Sequence, residues 1–246
     1  MGTVIGVIIA VALVLIAAEF ALRIFIGRSV ADSYVESRGN AAATADASPS
    51  VSFGTSPVLP ALITNDLKNV ELDTPDTLQV SNADGAAATP EIAGDPAAHI
   101  VLSDVDISNR NDPVAQEVVV ETELSPELIQ AIANRRAGGI ARISQLTPNP
   151  AEGTLKAEIS SGFADVDFRP TVNNGGLGLD VEGASVLGFG VDPVAGPIGD
   201  ALLAGISERF SPEFDLVSAT VTETGLQLTL RGNGVALSSL EGLRFQ

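Results

Sequence analysis

The chain has 246 residues and a formal net charge of −18, and 45% of its residues are hydrophobic although only 4% are aromatic. The acidic balance argues against nucleic-acid binding, because that function needs a basic surface to meet the phosphates. Cysteine is absent from the sequence, which excludes disulfides, thiolate nucleophiles and cysteine-type zinc sites.

The first eighteen residues form an apolar run to which no other segment is comparable. No charged side chain occurs from Gly2 to Ala18, and as a helix this run spans about 26 Å, close to the ~30 Å hydrocarbon core of a bilayer. A cleaved secretory signal is the alternative, but the run has neither the basic start nor the small-x-small cleavage site of such a signal. We therefore predict a single-pass membrane anchor at residues 1–26 and a separate domain at residues 27–246.

The residues that follow the apolar run predict an amphipathic helix. Phe20, Ile24 and Gly27 fall on one helical face, and Glu19 can pair with Arg23 at a spacing of four residues. Arg23 and Arg28 favour a cytoplasmic location for this side of the membrane under the positive-inside rule. The residues alone leave the orientation open.

Beyond Val51 the pattern indicates an α+β domain rich in antiparallel strands. Apolar and polar residues alternate over most of this region, and the alternating runs on either side of a turn at 223–225 predict a hairpin. One helix is predicted to begin at Ser125 and to end at Gly138, and a second begins near Pro197. The stretch 81–96, rich in Ala, Gly, Asp and Pro, is predicted to be a loop.

The search for catalytic and metal-binding motifs gives a negative result. His99 is the sole histidine, and the sequence contains neither a nucleophile elbow nor a phosphate-binding glycine loop. We interpret His99 as a surface or edge residue and predict that the protein is not an enzyme and uses no cofactor. One short segment contains several side chains that could supply oxygen ligands to a cation, but their spacing is not that of an EF-hand. We prefer turn formation as the explanation of this group, which consists of Asp104, Asp106, Asn109, Asn111 and Asp112.

Segments 49–62, 67–72 and 216–237 carry a resemblance to a known family. The last reads LVSATVTETGLQLTLRGNGVAL. Together with the order of hydrophobic helix and amphipathic helix, these segments resemble the LmeA-type phospholipid-binding proteins of the actinobacterial cell envelope. The resemblance implies an extracytoplasmic domain that binds phospholipid and supports lipomannan assembly, with envelope glycosyltransferases as candidate partners. It also implies a tubular fold in which a curved antiparallel sheet wraps a long helix.

The resulting hypothesis is a membrane-anchored, non-catalytic phospholipid-binding or transfer protein whose interior takes up acyl chains. Its groove is expected to be lined by the inward faces of the strands and by the second helix, at Ile198, Leu202, Ile206 and Phe210. One rim is expected at Phe53, Leu59 and Ile63. A place in an ordinary aliphatic core is the competing interpretation of each of these residues. The alternative function is an anchored scaffold with a solid core that binds envelope enzymes or polysaccharide; an enzyme acting on envelope glycans is a third.

Overall fold

A computed structural model of the protein describes residues 13–28, 48–86, 88–109, 112–137, 142–160, 163–186, 199–200, 203–204 and 212–242. Strands dominate these residues and all of their pairings are antiparallel, which confirms the α+β class. The helices are α1 at residues 13–28, α2 at Val58–Thr64 and α3 at Pro126–Ala137, followed near the C-terminus by a 3₁₀-helix at Leu237–Gly242. The strands are β1 (Ser50–Ser52), β2 (Asp66–Thr74), β3 (Gln79–Ser81), β4 (Glu91–Ala93), β5 (Ala98–Asp106), β6 (Val114–Leu124), β7 (Ile143–Asn149), β8 (Thr154–Ile159), β9 (Ala164–Asn173), β10 (Gly176–Val186), β11 (Phe214–Val221) and β12 (Leu226–Ala236).

These strands form three sheets. The largest has six strands in the order β1-β2-β5-β6-β12-β11, the second has four in the order β10-β9-β8-β7, and β3 pairs with β4 alone. The two larger sheets meet where the backbone N–H of Leu216 on β11 donates to the carbonyl of Gly175, in the turn between β9 and β10, at 2.7 Å. The edge strand β11 is therefore held against the second sheet.

Alternation along the strands gives the six-stranded sheet one apolar face and one polar face. The apolar face carries rows of side chains that are in register across the strands, such as Leu72, Ile100, Val120, Leu230 and Leu216. Side chains of this face form one cluster with buried residues of β7, β8, β9 and α3. The core thus lies between the two larger sheets, with α3 packed against it.

Helix α3 is defined by local signals and is fastened to β7 by buried amides. Ser125 accepts a hydrogen bond from the backbone N–H of Leu128 at 3.2 Å, as expected of an N-cap. The Asn134 side chain exchanges two hydrogen bonds of 2.8 Å with the backbone of Ile143, and Gln130 donates to the same carbonyl at 2.9 Å. The predicted helix and its cap are confirmed.

Other local predictions have mixed outcomes. The hairpin of β11 and β12 is confirmed, with Thr222 N–H donating to the Gly225 carbonyl at 2.9 Å. The loop predicted at 81–96 is wrong in part, because β4 lies within it and pairs with β3. Strand β7 was not predicted at all. A register shift between Ile143 and Gln145 interrupts its alternation and hides the strand signal.

Two predicted helices are not confirmed: the membrane-spanning helix at the start of the chain, and the long helix that the family resemblance places inside a curved sheet. None of the described helices is long and apolar enough to cross a membrane, and residues 1–12 of the predicted anchor lie outside the described residues. Residues 199–200 and 203–204 are helical, as expected near Pro197. The described helices do not include a long one wrapped by the sheet. The boundary at residue 26 stays a prediction.

Candidate functional site

The interior between the sheets has a closed part, formed by β6, β12 and α3. The side chains here are fully buried and pack on one another, and the largest of them are Leu124, Leu128, Leu226, Leu228 and Leu230. Burial of aliphatic side chains contributes about 1.5–3 kcal/mol each, so this part of the interior stabilises the fold. We refer to it as the closed part.

At two separate places the same apolar interior is only half-buried: on β2, towards the β1 edge of the six-stranded sheet, and on the β9–β10 hairpin, which lies beside the opposite edge strand β11. Val70 and Leu72 on β2, and Val172 and Leu179 on the hairpin, pack against the cluster but retain contact with solvent. Strand β2 has only the three-residue β1 as its outer neighbour, so it lies close to one edge of the six-stranded sheet. We refer to the β2 residues Val70 and Leu72 as the open part of the interior.

The described residues of the second predicted helix lie against this interior. Leu203 is half-buried and packs against the apolar cluster. Gly199 is buried, and a Cβ atom added to it would lie 3.6 Å from the ring of Phe168 on β9. The four residues of this helix that we expect to line the groove, Ile198, Leu202, Ile206 and Phe210, lie outside the described residues.

The three predicted rim residues lie on or next to α2 but differ in burial. Phe53 is 4% exposed, Leu59 is half-buried and Ile63 is 85% exposed. Phe53 is therefore buried, although it is not part of the main apolar cluster between the sheets. Contact of these residues with lipid stays a prediction.

Helix α1 is bound to the start of α2 by a pair of charged residues. Glu19 accepts hydrogen bonds from the backbone N–H groups of Val58 at 2.7 Å and Leu59 at 2.8 Å. Arg23 donates to Glu19 at 2.9 Å, which confirms the predicted pair. Its remaining nitrogens donate to the carbonyls of Gly54 at 2.9 Å and Ser56 at 2.6 Å. We call this set of contacts the Glu19–Arg23 latch.

Large apolar side chains are exposed on both helices that the latch joins. Ile63 and Leu62 on α2 are exposed, whereas Val58 and Ala61 of the same helix are buried. On α1 Phe20 and Ile24 of the predicted apolar face are exposed. The full set of exposed large apolar side chains on this helix is Leu13, Val14, Leu15, Ile16, Phe20, Ile24 and Phe25. A concentration of exposed apolar residues of this kind marks an interaction surface.

The outer face of the six-stranded sheet carries the sole histidine in an ion pair. The Nδ1 atom of His99 on β5 lies 2.6 Å from an Asp73 carboxylate oxygen on β2. This hydrogen bond raises the pKa of His99 above its ordinary value of 6.5, and the charges of Glu121 and Glu71 act in the same direction. The His99 side chain is exposed and belongs to a central strand, so the prediction of a surface position is confirmed and that of an edge position is wrong.

Three of the oxygen-rich residues near the β5–β6 turn, Asp104, Asp106 and Asp112, have partners within the chain, and Asn111 lies outside the described residues. Asp104 binds Lys68 at 2.8 Å, and this hydrogen bond, with that to Asp66, raises the pKa of Lys68. Asp106 accepts a hydrogen bond from the Ser108 backbone at 2.8 Å, and Asp112 accepts one from the backbone of Ser238 at 3.2 Å. Within the described part of the chain, no group of three or more histidine and acidic side chains is arranged to hold a metal ion.

A shallow surface depression lies between β4 and the C-terminal end of α3. Its volume is about 360 Å³, and it is lined by Thr89, Pro90, Glu91, Ile92 and Arg135. It is open to solvent and carries two charged side chains. The half-buried aliphatic residues of the open part offer a more apolar surface for a hydrocarbon chain.

Comparison with known proteins gives one match. The family model of LmeA-like phospholipid-binding proteins matches residues 22–235, which include α2, α3 and both larger sheets. No curated protein and no solved structure matches the chain. Because the model covers most of the chain, the protein belongs to the LmeA-like phospholipid-binding family.

Proposed function

We propose that the protein is a non-catalytic phospholipid-binding and transfer protein that shelters acyl chains in the open part of its interior. The observation that carries this proposal is the family match over residues 22–235. The half-buried Val70 and Leu72 on β2 supply an aliphatic surface that packs against the buried cluster and retains contact with solvent.

The energetics of lipid extraction favour such a surface. Each methylene buried away from water contributes about 0.8 kcal/mol, so a protein that lifts an acyl chain from a bilayer must replace on the order of 10 kcal/mol of hydrophobic shelter. Aliphatic side chains provide that shelter without fixing one chain conformation. The low aromatic content of the sequence, 4%, agrees with a lining of this kind.

The proposal places the protein on the cytoplasmic membrane, with the domain on the extracytoplasmic side. The uncharged run from Gly2 to Ala18 supports an anchor, and the exposed apolar side chains of α1 continue that run. An anchor holds the domain near its donor bilayer at high effective concentration. The resemblance to LmeA-type proteins supports a role in lipomannan assembly, with envelope glycosyltransferases as candidate partners.

An anchored scaffold that binds envelope enzymes or polysaccharide is the second candidate function. The observation that favours it is the closed part, where the protein fills its own interior with leucine side chains. The charged outer face of the six-stranded sheet would then carry the binding surface. The two candidates differ in whether the purified protein takes up lipid.

Uptake of phospholipid from vesicles tests the proposal, and two neighbouring valines provide a matched pair of variants. Val70 on β2 is half-buried on the inner face, opposite Leu102, whereas the half-buried Val101 on β5 lies opposite Glu71 on the outer face. A fragment of residues 19–246 retains the latch and omits the apolar run. Native mass spectrometry after incubation with phosphatidylcholine vesicles reports the lipid-bound fraction.

We expect Val70→Trp to fill part of the open interior and to displace acyl-chain atoms. If the tryptophan displaces two methylenes of the acyl chain into water, the loss is about 1.6 kcal/mol, and the affinity for phospholipid falls about tenfold. Val101→Trp adds the same volume on the outer face and should leave uptake unchanged. Circular dichroism checks that both variants fold. Equal uptake by the two folded variants would refute the location of the site, and absence of uptake by the parent fragment would refute lipid binding itself.

A further inference from the structure

We propose that the Glu19–Arg23 latch holds α2 at the bilayer surface, where Leu62 and Ile63 insert among the lipid head groups beside α1. This inference rests on the membrane anchoring proposed above. It assigns a lipid-facing surface to the domain itself, in addition to the apolar run that precedes it.

The latch provides a rigid connection between the two helices. Both carboxylate oxygens of Glu19 accept backbone N–H groups of α2, and the Arg23 guanidinium bridges Glu19 to the carbonyls of Gly54 and Ser56. Charged hydrogen bonds of this type are about twice as strong as neutral ones. The start of α2 is thereby held against the middle of α1.

Helix α2 is short enough to keep its apolar end near the latch. Its seven residues span about 10 Å, so Ile63 lies within roughly that distance of the Glu19 contact. Val58 and Ala61 anchor the helix to the domain, while Ile63 is 85% exposed and Leu62 is also exposed. Of the large apolar side chains among the described residues, that of Ile63 is the most exposed.

Two observations favour a bilayer as the partner of this surface, and a third indicates how the contact is made. The exposed side chains of Phe20, Ile24 and Phe25 directly follow the uncharged run 2–18 along the same chain. Glu19 and Arg23 are the first charged residues after that run, and they neutralise each other, which suits the boundary between hydrocarbon and head groups. The net charge of −18 disfavours electrostatic attraction to anionic lipids, so contact depends on apolar insertion.

This arrangement brings the open part of the interior close to the membrane. Strand β2 begins at Asp66, two residues after α2 ends at Thr64. Val70 follows four residues later, about 14 Å along the strand. An acyl chain leaving the bilayer beside α2 therefore has a short path to the half-buried residues of β2.

Depth-sensitive fluorescence on the full chain tests the inference. The chain contains no cysteine, so Ile63→Cys and Val217→Cys each accept one environment-sensitive nitrobenzoxadiazole label. Val217 is the matched control, because it is an exposed aliphatic residue, 47% accessible, on β11 at the opposite edge of the six-stranded sheet from β1. The proteins are reconstituted into phosphatidylcholine vesicles, and a nitroxide quencher is carried on the lipid.

We expect a blue-shifted and severalfold brighter emission at position 63, with quenching by the lipid nitroxide, and an aqueous signal at position 217. Glu19→Gln removes the charge and one of the two acceptor oxygens, and it should reduce quenching at position 63 severalfold while the protein still floats with the vesicles. Ile63→Ser leaves the latch intact and should slow lipid uptake without changing flotation.

The outcomes separate this inference from the proposed function. An aqueous signal at position 63 in protein that floats would overturn the inference, and so would equal quenching in the Glu19→Gln variant and its parent. A blue-shifted signal at position 63 in detergent without lipid, accompanied by dimerisation, would identify a second copy as the partner and overturn it as well. Failure to float would overturn the inference together with the anchor, whereas uptake by the 19–246 fragment tests lipid binding independently of both.

Discussion

The β6–β12 pair and the α2–β2 segment are both rich in aliphatic residues but bury them to different extents. Leu226 and Leu228 on β12 are fully buried in the apolar cluster. Val70 and Leu72 on β2 are half-buried, and Ile63 on α2 is exposed. The two strands also differ in position, because β12 lies between the long strands β6 and β11 whereas β2 has only the three-residue β1 on its outer side.

This comparison assigns different tasks to the two regions. A fully buried aliphatic residue contributes its whole transfer free energy to folding, whereas an exposed one contributes little and remains available to another apolar partner. We therefore expect the closed part to determine stability and the α2–β2 segment to determine interaction with lipid. Substitutions that separate these two properties test the division.

The largest expected effect is on stability in the closed part. Leu228→Ala should reduce the free energy of unfolding by about 2–5 kcal/mol, because it removes fully buried methyl groups and leaves a cavity. Ile63→Ala should change it by less than about 0.5 kcal/mol, as is usual for a surface site. Urea denaturation of the 19–246 fragment measures both values. Equal losses in the two variants would remove the distinction between the regions.

An intermediate effect is expected at the contact between α3 and β7. Asn134→Ala leaves the buried backbone N–H of Ile143 without its amide partner, while the carbonyl keeps only its hydrogen bond from Gln130, which should cost about 1–3 kcal/mol. Arg135→Ala, at the adjacent exposed position, is the control and should stay within about 0.5 kcal/mol. The same denaturation series compares them. A loss at Asn134 no larger than at Arg135 would show that this buried contact does not support the closed part.

The smallest effect is expected on the outer face of the β2–β5 pair. Because Asp73 raises the pKa of His99, the folded state binds the His99 proton more tightly than the unfolded state. The resulting stabilisation is fully present below about pH 6.5 and is lost as the pH rises through the raised pKa.

Replacing His99 by glutamine, whose amide is uncharged, isolates the contribution of this ion pair to stability. At pH 6 we expect His99→Gln to melt about 1–3 °C below the parent, since exposed ion pairs contribute little, and at pH 8.5 the two should coincide. Thermal unfolding at both pH values provides the measurement. A difference that grows with pH would have the wrong sign for this ion pair.

The elements that could be predicted from the sequence are those specified by nearby residues. Ser125 and Pro126 mark the start of α3 within its first turn, and the Gly225 turn lies directly between the two alternating runs of its hairpin. By contrast, β4 is three residues long and β7 contains a register shift at Ile143–Gln145. Their strand conformation depends on partners elsewhere in the chain, which no local pattern reveals.

The same limit applies to the candidate site. The Glu19–Arg23 pair follows from a spacing of four residues, but its contacts with Val58 and Leu59 lie about forty residues away along the chain and have no local signal. Phe53 and Ile63 were predicted to share one rim, yet one is buried and the other exposed. A helix of seven residues is too short for its periodicity to indicate which side faces the core.

The most direct test of the account is to measure, by native mass spectrometry, whether a lipid co-purifies with the 19–246 fragment. If the open part of the interior shelters acyl chains, native mass spectrometry should find phospholipid bound to the folded fragment after purification without detergent, and the lipid should be released when the fragment is unfolded. Folded protein that is free of lipid after purification and takes up none from phosphatidylcholine vesicles would contradict the account.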